Sequence, residues 1–207
     1  RSNVQARLII FGTLAVLLIL FSIFSEYLTP YDPYLQDLSI AKSPPSSEHF
    51  LGTDRYGRDM LSRVMVGSRT SIFSTLLLVA VITTLGTAVG VFCGWRGGWL
   101  DTVLMRISDM FLAFPGLVFA LAVAGVLGGG LQNAIIALAA ISWPKYARIA
   151  RSQTLAQKET VWMKAAKLSG SSTAKLIFKH ILPNILGPIL VTSMLDIGTM
   201  MMELAAL

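Results

Sequence analysis

Two carboxylates, Asp196 and Glu203, interrupt an apolar run that begins near Ile181 and is otherwise broken only by Pro183 and Pro188. An ionisable side chain inside a membrane span is costly, so such residues mark transport paths by default. Seven residues is two helical turns, which puts Asp196 and Glu203 on one stripe with Thr192 and Thr199, suited to a water-filled path. Met200, Met201 and Met202 lie among them. Thioethers suit soft transition metals and carboxylates harder ones, so a metal or metal chelate is one cargo for such a path. The plainer reading makes the methionines apolar filler and Asp196 a hydrogen-bond partner for a neighbouring span. Asp196, Thr199, Met200 and Glu203 are the substrate-path candidates, and the metal, if one binds, is unspecified.

The remaining reactive residues supply no site. His49 stands alone in a polar loop and His180 ends a basic segment, so neither has a neighbour at metal-ligand spacing. Cys93, the single cysteine, lies in an apolar block, which excludes an internal disulfide or a cysteine metal site. There is no Gly-x-x-x-x-Gly-Lys-Ser/Thr loop to cradle a triphosphate. No apolar run carries a nucleophile with a base, or a His-Glu-x-x-His motif. The chain therefore reads as a non-enzyme that binds no cofactor of its own.

These residues must be positioned by membrane helices. Of 207 residues, 54% are hydrophobic and only 14% charged, against roughly 25% charged in a soluble domain. A spanning helix needs about 20 apolar residues. Leu8–Phe24 nearly supplies that for a first span, which has no small-residue cleavage site and reads as retained. Thr70–Trp95 is charge-free, with Gly86, Gly90 and Gly94 at every fourth position, a small-residue stripe for close helix contact. The charge-free run Met110–Pro144 is divided into two spans by Gly128, Gly129 and Gly130. The run from Ile181 to Leu207 makes a fifth, and its end within apolar sequence predicts a sixth span beyond it.

The expected fold is thus an all-α polytopic membrane protein in one membrane domain: a first helix over 1–25, a loop over 26–69, and a core over 70–207. The net charge of +6 comes from residues beside the apolar runs and not from a basic groove with aromatics, so it points to topology and not to nucleic acid. A cytoplasmic amino terminus places Arg1, Arg7, Arg96, Arg106 and the cluster Lys145–Lys179 inside, as the positive-inside rule prefers. The loop 26–69, with Pro30, Asp32-Pro33 and Pro44-Pro45 as turn signals, then faces outward.

One polar stretch, 151–180, stands between the fourth and fifth spans. Val161, Ala165 and Leu168 share a helical face, and Gly170-Ser171-Ser172 breaks the helix before a second short one begins at Leu176-Ile177. This is a helix, turn, helix element with an apolar face in need of a partner. A basic helix held on anionic headgroups would explain its lysines, but not its Ala-Ala, Gly and Leu-Pro spacing.

That spacing resembles the coupling loop of ATP-binding cassette (ABC) importer permeases, whose pattern is Glu-Ala-Ala, three residues, Gly, then Leu-Pro. Ala165, Ala166, Gly170, Leu182 and Pro183 match it; Lys164 stands in place of the glutamate, and Glu159 precedes it by five residues. Phe50-Leu-Gly-Thr-Asp-Arg-Tyr-Gly-Arg-Asp, Met105-Arg-Ile-Ser-Asp-Met-Phe-Leu-Ala-Phe-Pro and Trp143-Pro-Lys-Tyr-Ala-Arg resemble the second, C-type permease of peptide and nickel importers. The resemblance implies a type I importer permease fold in a bacterial inner membrane. It also implies a second homologous permease, two ABC ATPases carrying ATP and Mg, and an extracytoplasmic binding protein. Lys164, Lys167, Lys175 and Lys179 would then meet acids on the ATPase. Leu195-Asp-Ile-Gly-Thr-Met-Met is most similar to nickel-type permeases, which favours nickel or a chelate over a short peptide. A secondary transporter is the rival class, but it calls for paired repeats and broken helices, and the sequence has neither.

Overall fold

The charge-free runs become helices because a backbone in lipid must satisfy its own N–H and C=O groups. The computed structural model describes residues 2–207, and Arg1, counted above among the inner positive charges, lies outside them. In chain order the helices are α1 (Ser2–Leu28), α2 (Met60–Arg96), α3 (Gly98–Ala113), α4 (Gly116–Leu127) and α5 (Leu131–Lys158). They continue with α6 (Val161–Leu168), α7 (Thr173–Lys175), a π-helical stretch Leu176–Ile181, and α8 (Leu182–Ala206). Among the described residues the only β pairing is an isolated bridge between Thr53 and Asp59. The all-α expectation holds.

The helices that are long and apolar enough to cross a membrane are Val4–Leu28, Met60–Arg96 and Thr173–Ala206, and the bent pair α3 and α4 adds a fourth if it is one span. This is a multi-pass membrane protein. The bend, 95°, falls at Phe114-Pro115. It cuts the run expected as one straight third span, because the residue before a proline is forced out of helical conformation. The break at Gly128–Gly130 lies where the glycines predicted it, with Gly128 and Gly130 at φ +80° and +121°. α5, expected as the fourth crossing, is not among the apolar spans, since its second half carries Lys145, Arg148 and Arg151.

The chain divides into two compact units, one ending at Phe73 and one covering Ser74–Leu207. In the first, α2 begins at Met60 and not at residue 70, so residues 60–69 are helix and not loop. Asp59 starts the helix by accepting from the Ser62 backbone N–H (2.8 Å) and hydroxyl (2.7 Å). The same carboxylate meets His49 Nδ1 at 2.9 Å, so His49 does not stand alone. Its ring also lies 4.8 Å from that of Tyr31.

The second unit carries the core. Gly86, Gly90 and Gly94 on α2 meet α5: a Cβ at Gly86 would lie 2.5 Å from the Trp143 carbonyl oxygen, and one at Gly94 2.8 Å from Thr154. Hydrocarbon tails are as apolar as leucine, so this contact is held by close packing rather than by a hydrophobic effect. Leu78, Ile82, Leu138, Tyr146, Ile181, Ile185 and Ile189 are fully buried around it.

Candidate functional site

α6 has an outer and an inner face. Met163 is fully buried in the core and Ala166 packs against it, whereas Val161 and Leu168 are 84% and 90% exposed and Ala165 is exposed beside them. A helix of eight residues does not persist alone in water, so the inner face must fix it. Lys167 lies 4.8 Å over the Trp95 ring at the end of α2, and Trp162 meets the His180 ring at 5.7 Å. Just before α6, the Lys158 ammonium at the end of α5 bonds the Gly94 and Trp95 carbonyls (3.2 and 2.8 Å).

The turn after α6 is defined by its hydrogen bonds. Gly170 N–H donates to Lys167 O (3.0 Å) and Ser171 N–H to Ala166 O (3.2 Å), with Gly170 at φ +77°. This is a Schellman cap, which places the residue after the helix in the left-handed region and so calls for glycine. Gly170 thus sets the turn, and there is open space around its Cα. The Ser172 side chain then caps α7, its hydroxyl accepting from Lys175 N–H at 3.4 Å.

No separate second short helix follows. From Thr173 to Ala206 the helix is continuous. Pro183 lacks the N–H of a regular turn, and the wider π-helical turn over Leu176–Ile181 carries the chain through. Leu182 packs partly buried against the core, while Pro183 is exposed. The matched residues therefore divide by face. Ala165 is on the outer face, Ala166 and Leu182 on the inner, and Lys164 pairs with Glu159 at 3.1 Å in solvent. Lys167, expected to reach outward, is held on Trp95, which leaves Lys175 and Lys179 exposed.

The substrate-path stripe is arranged otherwise than its spacing suggests. The buried face of α8 runs Ile185, Ile189, Ser193, Asp196 and Met200. Asp196 accepts from Lys145 Nζ at 2.7 and 2.8 Å and from the Tyr146 hydroxyl at 2.9 Å. Met200 is a core residue, Thr199 is exposed, Glu203 is half-buried, and Thr192 donates to the Pro188 carbonyl at 2.9 Å. Lys145, placed by its sequence among the inner loop charges, instead pairs with a residue in the middle of α8. Among the described residues, no group of three His, Cys, Asp or Glu could hold a metal ion.

Two further pairs tie α5 to α3. Arg151 grips Asp101 with two nitrogens at 2.5 and 2.6 Å, and Arg148 meets Asp109. The two-nitrogen geometry is the strong form of this contact. Sequence reasoning missed all of these partners. The available signal for the Lys145–Asp196 pair was a lysine ending a 35-residue charge-free stretch while an aspartate interrupted a later one.

Residues 86–207 match the family described as "Binding-protein-dependent transport system inner membrane component". The probable D,D-dipeptide transport system permease protein DdpC of Escherichia coli is 42% identical over 95% of this chain and 66% of its own length. The dipeptide transport system permease protein DppC of Alkalihalophilus pseudofirmus is 39% identical over 91% of this chain and 62% of its own. The nickel transport system permease protein NikC of Escherichia coli is 37% identical over all of this chain and 73% of its own length. The chain thus spans about two thirds of the length of these relatives. The match takes in the glycine stripe of α2, the capped turn after α6 and all of α8, and the chain belongs to the inner membrane component family of binding-protein-dependent transport systems, among its peptide and nickel permeases.

Proposed function

We propose that this chain is a permease subunit of an ATP-driven importer, pairing with a second homologous permease to form the translocation path. ATP and Mg act on two partner ATPases, and an extracytoplasmic binding protein delivers the cargo. The permease itself catalyses nothing. The observation that carries this reading is the outer face of α6: Val161, Ala165 and Leu168 are exposed on a helix whose opposite face is locked into the core. A short helix fixed on one side and apolar on the other suits a groove on a motor protein. Because α6 is tied to the ends of α2 and α5 and to the start of α8, a push on it reaches the helices as a rigid displacement. With α6 inside the cell, the amino terminus is cytoplasmic and residues 29–59 face outward.

For the cargo we favour a short peptide. Asp196 is neutralised by Lys145, Met200 is packed in the core, and the peptide-system relatives are the more similar in sequence. Nickel or its chelate is the second reading, favoured by the nickel permease that matches this chain over its full length. Purification of the tagged permease should bring down ATPase subunits. Reconstituted with its binding protein, the complex should take up labelled dipeptide on addition of ATP. Purification without an ATPase would refute the permease reading, and ATP-driven nickel flux without peptide uptake would reverse the order of cargoes.

A further inference from the structure

Resting on that reading, we propose that Lys145 and Asp196 form a charge-exchange subsite for zwitterionic cargo, with Lys145 taking the carboxylate of a dipeptide and Asp196 its ammonium. The placement of the pair motivates this. The last charge before Asp196 on its helix is Lys179, 17 positions earlier, which is about 26 Å along the axis at 1.5 Å per residue. Asp196 lies inside the membrane-crossing helix Thr173–Ala206, ten residues before its end, so the carboxylate is within the span. From the other helix, Lys145 is the first charge after the run 110–144.

The two ends of the pair are not equally enclosed. The Asp196 side chain is 10% exposed and holds the Tyr146 hydroxyl as well, whereas the Lys145 side chain is 48% exposed. Exposure keeps part of the ammonium's hydration and lowers the desolvation cost of the pair, and it also leaves the lysine end accessible. An ammonium half open beside a fixed carboxylate is a place where a ligand carboxylate can enter. The Coulomb accounting then selects the cargo. A zwitterion that inserts between the two replaces each lost contact with one of like kind. A bare cation at Asp196 meets the lysine charge beside it, and a bare anion at Lys145 meets the aspartate. Glu203, two turns along α8 and half-buried, adds negative charge near Asp196 and favours an ammonium there over a second carboxylate.

The test uses the whole importer in proteoliposomes, with labelled dialanine and its carboxy-terminal amide as probes. Lys145→Met alone leaves Asp196 unpaired, so the decisive variant is Lys145→Met with Asp196→Leu, which removes both charges together. Replacing a purely structural ion pair by apolar residues is often neutral. The subsite predicts that the double variant still co-purifies with its partners but loses at least tenfold in dialanine uptake. It also predicts that the wild type takes up the amide at least tenfold more slowly than dialanine at equal occupancy of the binding protein. Wild-type dialanine uptake matched by the double variant would overturn the subsite and leave the importer reading standing. A wild type that moves nickel and no dipeptide would overturn the peptide reading and the subsite with it.

Discussion

Residues 29–59, between α1 and α2, close many of their polar groups among themselves and on the first turn of α2, whereas the α6 segment, between α5 and α8, keeps a face open. In the first stretch Asp54 accepts from the Tyr56 and Arg58 backbone N–H groups (2.8 and 3.1 Å) and from the Arg58 guanidinium (2.7 Å). Asp59 ties His49 to Ser62, and the Thr53 hydroxyl bridges to Ile40. In the second stretch, the groups that bind within the chain lie on one side, and Val161, Leu168, Lys175 and Lys179 face away. The first is held by hydrogen bonds; the second has its position fixed by the core and its outer surface exposed. In the sequence the first is a proline-rich loop with acids and bases nearly balanced and the second a proline-free basic helix-turn-helix, but neither composition says which side chains find partners within the chain.

If the contrast is right, substitutions in the two stretches fail differently. The largest effect is expected from Leu168→Asp, which puts a charge on the most exposed apolar residue of the open face. ATPase affinity should fall at least 100-fold, about 3 kcal/mol, with no change in thermal stability of the isolated permease, read by pull-down and by a melting curve. Gly57→Ala should do the reverse. Gly57 stands at φ +71° and a Cβ there would run into the Asp37 carbonyl, so stability should drop by about 2 kcal/mol while ATPase affinity is kept.

Acid gives a smaller, graded effect. Desolvation, the largest single influence on Asp54, raises its pKa, but Arg58 and the two backbone donors outweigh it and hold the carboxyl at about 2. For Asp59 desolvation likewise pushes up, and Ser62 and His49 together pull the value below the usual carboxylate range. Both folded values lie under the unfolded one, so their stabilisation is complete above about pH 4 and is lost as pH falls towards the folded values. Hydrogen exchange in residues 40–62, corrected for intrinsic rate, should speed up between pH 5 and pH 3. Unchanged protection over that interval would mean these carboxylates do not hold the stretch together.

Much of the architecture was legible because it rests on local pattern. Charge-free length marked α1 and α2, apolar length marked α8, the triple glycine marked the α4–α5 turn, and Gly86, Gly90 and Gly94 marked a close helix contact now seen against α5. The bend at Phe114-Pro115 was also locally encoded, but the surrounding apolar residues masked it. The start of α2 was misplaced by ten residues because Arg63 and Arg69 interrupt the apolar pattern while leaving the helix intact. What sequence could not supply were pairings between distant positions. Lys145 and Asp196 are 51 residues apart, and Arg151 and Asp101 are 50 apart. Such contacts follow from how α5 packs against α8 and α3, which spacing along one helix does not encode. The same limit applies to the α8 stripe: spacing sets which residues follow one another along the helix, but only packing decides that Met200 is buried and Thr199 exposed.

The account turns on which face of α6 meets the motor. With Cys93 replaced by alanine, single cysteines at Leu168 and at Met163 can be tested for cross-linking to cysteines on the ATPase surface in the assembled, nucleotide-bound complex. The open-face assignment predicts an efficient cross-link from position 168 and none from position 163. It would be contradicted by a cross-link from 163 alone, or by labelling of position 168 with a membrane-impermeant thiol reagent added to intact cells.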